Sequence, residues 1–207
     1  MNSDLNSVKT SPSQPNYHHG ALRQALIAAA ERLIEEKGLD GFSLRETARR
    51  AGVSPSAPAH HFGDVRGLLT AIATQGFEAL AAALEAADAG GSHAERIRGQ
   101  GIAYVGFALA HRAHFDLMWR KALLDTDDPD YAAAGRRAFL VLDQRARGGE
   151  ASGAEKSGAV AAPSIACWAM VHGFARLAID GAFGTGAGAA DRAAEALLPA
   201  VLSHLRV

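Results

Sequence analysis

The 207-residue chain holds a single cysteine, Cys167, and only 6 % aromatic residues. One thiol cannot staple a fold, and it suits a reducing compartment. With no basic side chain beside it to lower its pKa, Cys167 reads as a structural thiol. Alternating β-branched runs are missing, whereas the strong helix formers Ala, Leu, Glu and Arg abound, so the expected fold class is all-α. An excess of one charge is also lacking. The formal net charge is −1, so any nucleic-acid contact must come from a local patch. No apolar run approaches the ~20 residues needed to span a bilayer. Met1 to Asn16 is polar and has no apolar core of a secretory signal. These absences lead to the expectation of a cytoplasmic protein with no membrane partner. Although His18-His19 and His60-His61 could suggest acid–base work, no nucleophile motif, phosphate-cradling glycine loop or metal triad accompanies them, so an enzyme is not expected. His111 and His114 have an i, i+3 spacing open to a metal. No Cys or carboxylate cluster completes such a site, and no metal or other cofactor is expected.

Against these absences stands a hydrophobic fraction of 48 %, ample for a packed core. After a polar tail, Leu22, Leu26, Ala30, Leu33 and Ile34 give one apolar face, predicting a helix from Gly20 to Lys37. Gly38 is placed to end it and Leu39 to pack behind. Ser43 and Glu46 have the spacing of a capping box, opening a helix that runs to Ala51. Gly52 and Val53 make a turn. Ser54 reads as the next N-cap with Pro55 at the first helical position, opening a short helix to His61 that Pro58 should make irregular. Asp64 caps a long helix to Ala87. Further helices are expected over Ala94–His111, around Phe115 to Trp119, after Asp125–Pro129 to Ala146, over Pro163–Asp180, and over Asp191–Leu205, the last kinked or divided at Pro199. Arg147 to Gly158 has a loop composition.

Two short helices joined by a glycine-containing turn form a helix-turn-helix unit, and Ser43 to Phe62 fits that pattern. The second of them is too short to persist alone, so it must lean on its neighbours and leave its outer face free for a major groove. The candidate DNA contacts are Ser43, Arg45, Arg49 and Arg50 on the first helix, and Ser54, Pro55, Ser56, Ala57, His60 and His61 on the second. Arginines there can reach phosphates, and serines or histidines can reach phosphates or base edges. A generic trihelical packing unit, without DNA binding, would use the same caps and turns.

The run Phe42-Ser-Leu-Arg-Glu-Thr-Ala-Arg-Arg-Ala-Gly-Val-Ser54, with His60-His61-Phe62 and Leu68-Leu69 behind it, resembles the DNA-binding domain of TetR-family regulators. The resemblance covers Gly20 to Leu80 and implies that the helix opening near Ser54 is the recognition helix. Two positions depart from the family pattern. Ala59 replaces the usual tyrosine and Val65 the usual lysine, which implies weaker phosphate anchoring unless Arg66 compensates. Farther along, Trp168-Ala-Met-Val-His172-Gly173 and Phe107 to Trp119 resemble the Trp-His-Gly C-terminal domain of one TetR subfamily. The implied division is a tail (1–19), a DNA-binding domain (20–80) and an effector-binding and dimerisation domain (81–207).

Trp168 and His172 share a helix face at i, i+4. With Phe107, His111, Phe115, Met118 and Trp119 they could line a pocket for a small lipophilic effector, or form an aromatic core. The apolar residues Phe174, Leu177, Leu198, Val201, Leu202 and Leu205 could join a homodimer or be buried within the monomer. The resemblance implies the homodimer, double-stranded operator DNA and a small-molecule effector as partners, with repression relieved by the effector. An activator of the same fold remains an alternative.

Overall fold

The computed structural model describes residues 15–87, 90–146 and 162–205. Among these residues the regular structure is entirely helical: α1 (Pro15–Lys37), α2 (Leu44–Arg50), α3 (Ala57–Phe62), α4 (Val65–Ala86), α5 (His93–Ala110), α6 (Arg112–Met118), a 3-10 turn (Lys121–Leu123), α7 (Pro129–Ala146), α8 (Ala162–Ile179) and α9 (Ala189–Leu202). The loop read at Arg147 to Gly158 lies outside the described residues.

Helix α1 starts at Pro15, five residues before the expected Gly20. Proline suits a helix start because its missing N–H would be unpaired there anyway. Leu26, Ile27, Ala30, Leu33 and Ile34 bury the apolar face. Gly38, at φ 69°, closes the helix as its N–H bonds the Ile34 carbonyl at 2.8 Å.

Helix α2 departs from the expected capping box. Ser43 is at the N-cap position, but its hydroxyl makes no capping bond. Glu46 turns to Arg49 and Arg50, whose guanidiniums hold it at 2.7–3.1 Å, and the Thr47 hydroxyl bonds the Ser43 carbonyl instead. The same Ser-x-x-Glu spacing does form a complete box at the head of α5, between Ser92 and Glu95. That helix therefore begins at His93, one residue ahead of the expected Ala94. In α3 the cap moves from Ser54 to Ser56, so Pro58 falls in the first turn, where no amide hydrogen bond is lost. Asp64 caps α4 as expected, accepting the Gly67 N–H at 2.9 Å.

Helix α4 is the spine. It packs on α1, α3, α5, α6 and most extensively on α7, burying Leu68, Leu69, Ile72, Phe77, Leu80 and Leu84. One apolar core runs from Ile27 and Ile34 in α1 through α4 to Leu198 and Leu202 in α9. Contrary to the sequence reading, α4 and α8 are each long and apolar enough to cross a membrane by length and composition, because alanine dilutes their few charges. Most of α4 is core, while only 33 % of α8 is buried. Helix α9 spans Ala189–Leu202 rather than Asp191–Leu205, opening after Gly188 at φ 70° and ending three residues beyond Pro199.

Candidate nucleic-acid interface and effector cluster

Helices α2 and α3 project the residues read as DNA contacts. The turn between them uses Gly52 at φ 70°, a conformation that glycine adopts without cost. Pro58 is buried against the domain, whereas Ser54, Pro55, Ser56, Ala59 and His60 are exposed. The bare face of α3 and of the turn leading into it is thus small and polar, with the Ser54 and Ser56 hydroxyls 3.1 Å apart and the His60 and His61 rings stacked at 5.6 Å. Ala57 and His61 are half-buried. Phe62 anchors the inner side, with the Arg23 guanidinium of α1 over its ring at 5.1 Å.

The arginines of α2 divide by environment. Arg45 is exposed. The Arg49 side chain is 71 % exposed despite its pair with Glu46, so it can turn to a phosphate. Arg50 is only 20 % exposed and clamped between Glu36 at 2.7 Å and Glu46 at 3.1 Å, which ties α2 to the end of α1. These two guanidiniums hold the Glu46 carboxyl down to about 2. Arg50, expected as a phosphate contact, is therefore committed within the domain. So is Arg66. Its guanidinium donates to the Leu124 and Ala122 carbonyls at 2.8 and 3.3 Å, in the loop that follows α6.

The residues read as a pocket separate into two groups. Phe115, Trp119, Trp168 and His172 converge, with ring centroids 5.1 Å apart for Phe115–His172 and Trp119–His172 and 5.5 Å for Trp119–Trp168. His111 and Met118 do not join them. His111 is an exposed C-cap of α5 lying on Phe107, and the Met118 thioether faces Gly76 of α4. Phe107 is buried beside His111. The sequence reading missed Tyr104, whose hydroxyl is 3.0 Å from His172 Nδ1 and accepts the Trp168 indole N–H at 3.3 Å. Its spacing three residues before Phe107 was the available signal. Burial pushes the Tyr104 phenol well above its usual range and the His172 imidazole below 6.5, with Arg176 adding to the latter. His172 is therefore neutral near pH 7. The Trp119 indole N–H is buried and has no partner among the described residues. A neighbouring cavity of about 20 Å³, lined by Gln100, Leu142, Cys167, Val171 and Leu205, has room for about one water. No group of three metal-ligating side chains occurs among the described residues.

The residues read as a dimer face also separate. Phe174, Leu198 and Leu202 are buried inside the monomer; Phe174 meets Phe183 at 5.1 Å with the rings tilted, and Leu202 fills the space beside Gly101. Val201 and Leu205 are half-buried. Leu177 is 50 % exposed, Leu197 is 43 % exposed, and Ile165, which the sequence pattern did not single out, is 49 % exposed.

A trihelical head with a bare third helix, carried by a long shared helix on an all-α body, defines a helix-turn-helix regulator. Residues 26–72 match the model of the bacterial regulatory proteins of the tetR family, and residues 97–201 match a tetracyclin repressor-like C-terminal domain. Among solved structures, a protein of unknown function from Rhodococcus sp. RHA1 is 34 % identical, with a TM-score of 0.69 over 93 % of this chain and 99 % of that one. The TetR-family transcriptional regulator PfmR of Thermus thermophilus is 22 % identical, with a TM-score of 0.63 over 88 % and 99 % of the two chains, a likeness of fold. The HTH-type transcriptional regulator BetI of Burkholderia mallei is 38 % identical over 85 residues, 41 % of this chain. That match spans 44 % of the curated relative, less than half its length. The chain belongs to the TetR family of transcriptional regulators.

Proposed function

We propose that this protein is a homodimeric, cytoplasmic repressor of the Trp-His-Gly type that binds a palindromic operator and is released by a small lipophilic effector. The observation that carries the reading is the orientation of α3: Pro58 and Phe62 turn inward while Ser54, Ser56, Ala59 and His60 stay bare. Such a helix is supported from behind and free to enter a major groove. Exposed Arg45 and Arg49 lie where α2 would cross the phosphate backbone.

The other two elements have support of their own. Helix α8 is apolar yet mostly unburied, with Ile165 and Leu177 bare on it and Leu197 bare on α9, which suits a helical interface between two copies. Phe115, Trp119, Trp168, Tyr104 and His172 form a mostly apolar cluster with polar tips, and the unpaired Trp119 N–H offers a donor to an incoming acceptor. An effector that binds better when the two heads are spaced wrongly for successive major grooves would release the operator.

A mobility-shift assay with the DNA flanking its own gene, at stated salt, tests the reading. A salt-sensitive shift that resists random competitor DNA is expected, and so is its loss in Arg49→Ala. Absence of a specific shift up to micromolar protein would overturn it.

A further inference from the structure

Three hydrogen bonds fasten the start of α4 to the loop that leaves α6. Arg66 donates from Nη1 to the Leu124 carbonyl at 2.8 Å and from Nη2 to the Ala122 carbonyl at 3.3 Å. One turn on, the Thr70 hydroxyl accepts the Asp125 N–H at 2.9 Å while donating to the Arg66 carbonyl at 2.8 Å. Thr70 and Leu124 are buried, so the Arg66–Leu124 and Asp125–Thr70 bonds are partly shielded from solvent, while the Arg66–Ala122 bond lies at the surface. The loop begins at Trp119, the C-cap of α6 and a member of the aromatic cluster. The other side of the clasp leads to α3. Asp64 caps the first turn of α4, and Gly67 lies so close to α3 that a Cβ there would meet the Phe62 carbonyl oxygen at 2.0 Å. The recognition helix, the head of α4, the 122–125 loop and the aromatic cluster are thus joined in series.

We infer that Arg66, seconded by Thr70, is a positioning residue for operator binding and not a phosphate contact; this rests on the reading of α3 as the recognition helix. The planar guanidinium spans two carbonyls two residues apart, and a lysine ammonium, a single point of charge, does not reproduce that fork. While the clasp is closed, α3 keeps a fixed angle to the C-terminal bundle. Displacement of Trp119 by an effector carries the Ala122 and Leu124 carbonyls with it and reaches α3 through Arg66.

Wild type, Arg66→Lys, Arg66→Ala and Thr70→Val are compared in two measurements. The first is affinity for the flanking DNA and for a random duplex across a salt series. All three variants are expected to lose about tenfold in specific affinity, the scale of one or two net hydrogen bonds, with random-duplex affinity and the salt slope unchanged. Full retention of affinity by Arg66→Lys, or a salt slope lower by about one per protomer in Arg66→Ala, overturns the inference, because a phosphate contact behaves that way. The second is hydrogen exchange of the DNA-free protein. Amides of α3 and the first turn of α4 are expected to lose protection in Arg66→Lys and Thr70→Val. Unchanged protection overturns the clasp whatever the DNA result, which separates its failure from failure of the DNA-binding reading.

Discussion

Replacing Gly67 with alanine should damage this protein, although the same change improves most helices. Gly67 lies in the first turn of α4 with ordinary helical backbone, so alanine there gains about 1 kcal/mol of intrinsic helix propensity. Its Cβ, however, would be 2.0 Å from the Phe62 carbonyl oxygen, 1.0 Å inside the 3.0 Å that real Cβ atoms keep. The obstacle is backbone, which cannot rotate away, so relief requires α3 to shift on α4. Overpacking of that kind costs up to about 3 kcal/mol, leaving a net loss of about 2 kcal/mol. For a chain of this size that is a fall in melting temperature of about 4–8 °C. Gly135→Ala in α7 is the control, because its Cβ would meet nothing closer than Phe77 at 3.9 Å. It should stabilise by up to about 1 kcal/mol. Thermal and urea unfolding of both variants, with operator affinity alongside, measures the contrast. A Gly67→Ala protein as stable as wild type and binding the same DNA equally well would refute the close seating of α3 on α4.

Three further outcomes are expected. Burial, with Arg176 nearby, holds His172 below its usual 6.5, so the unfolded chain takes up that proton first. Stability is therefore lost as pH falls below 6.5 until the folded imidazole also protonates, and His172→Gln should flatten the melting-temperature profile in that window; an unchanged profile would count against a neutral, half-buried imidazole. Leu177→Arg sets a charge on the bare face of α8 and should convert a dimer to monomer by light scattering without lowering helix content by circular dichroism, whereas an intact dimer would remove α8 from the interface. Ala59→Tyr restores the aromatic hydroxyl that the family resemblance implies at an exposed position of α3 and should tighten operator binding several-fold; equal affinity would mean that the position does not face DNA.

How much of this was legible in sequence depends on whether the deciding interaction was local. Gly38, Gly52 and Asp64 act through their own backbone or side chain, and each ends, turns or caps where its residue type says it should. Ser43-x-x-Glu46 and Ser92-x-x-Glu95 share one pattern, yet only the second forms a capping box. The difference is Arg49 and Arg50, which draw Glu46 outward, and the Arg50–Glu36 pair depends on how α2 meets α1. Arg66 was legible as a cation but not as a clasp, since its partners lie more than fifty residues away. Periodicity likewise identified apolar faces on α8 and α9 without showing which side faces inward. Phe174, Leu198 and Leu202 belong to the monomer core, while Ile165, Leu177 and Leu197 stay bare. Trp168 and His172 were readable at i, i+4, but Tyr104, bonded to both, arrives from α5 through tertiary packing.

Under the proposed function, two copies of α3 read one dyad-symmetric site. Hydroxyl-radical footprinting of the full-length protein on the DNA flanking its gene tests this most directly. The expected result is two protected patches of equal strength, related by a dyad and centred about one helical turn or a multiple of it apart. A single unpaired patch, or uniform protection along the duplex, would contradict it.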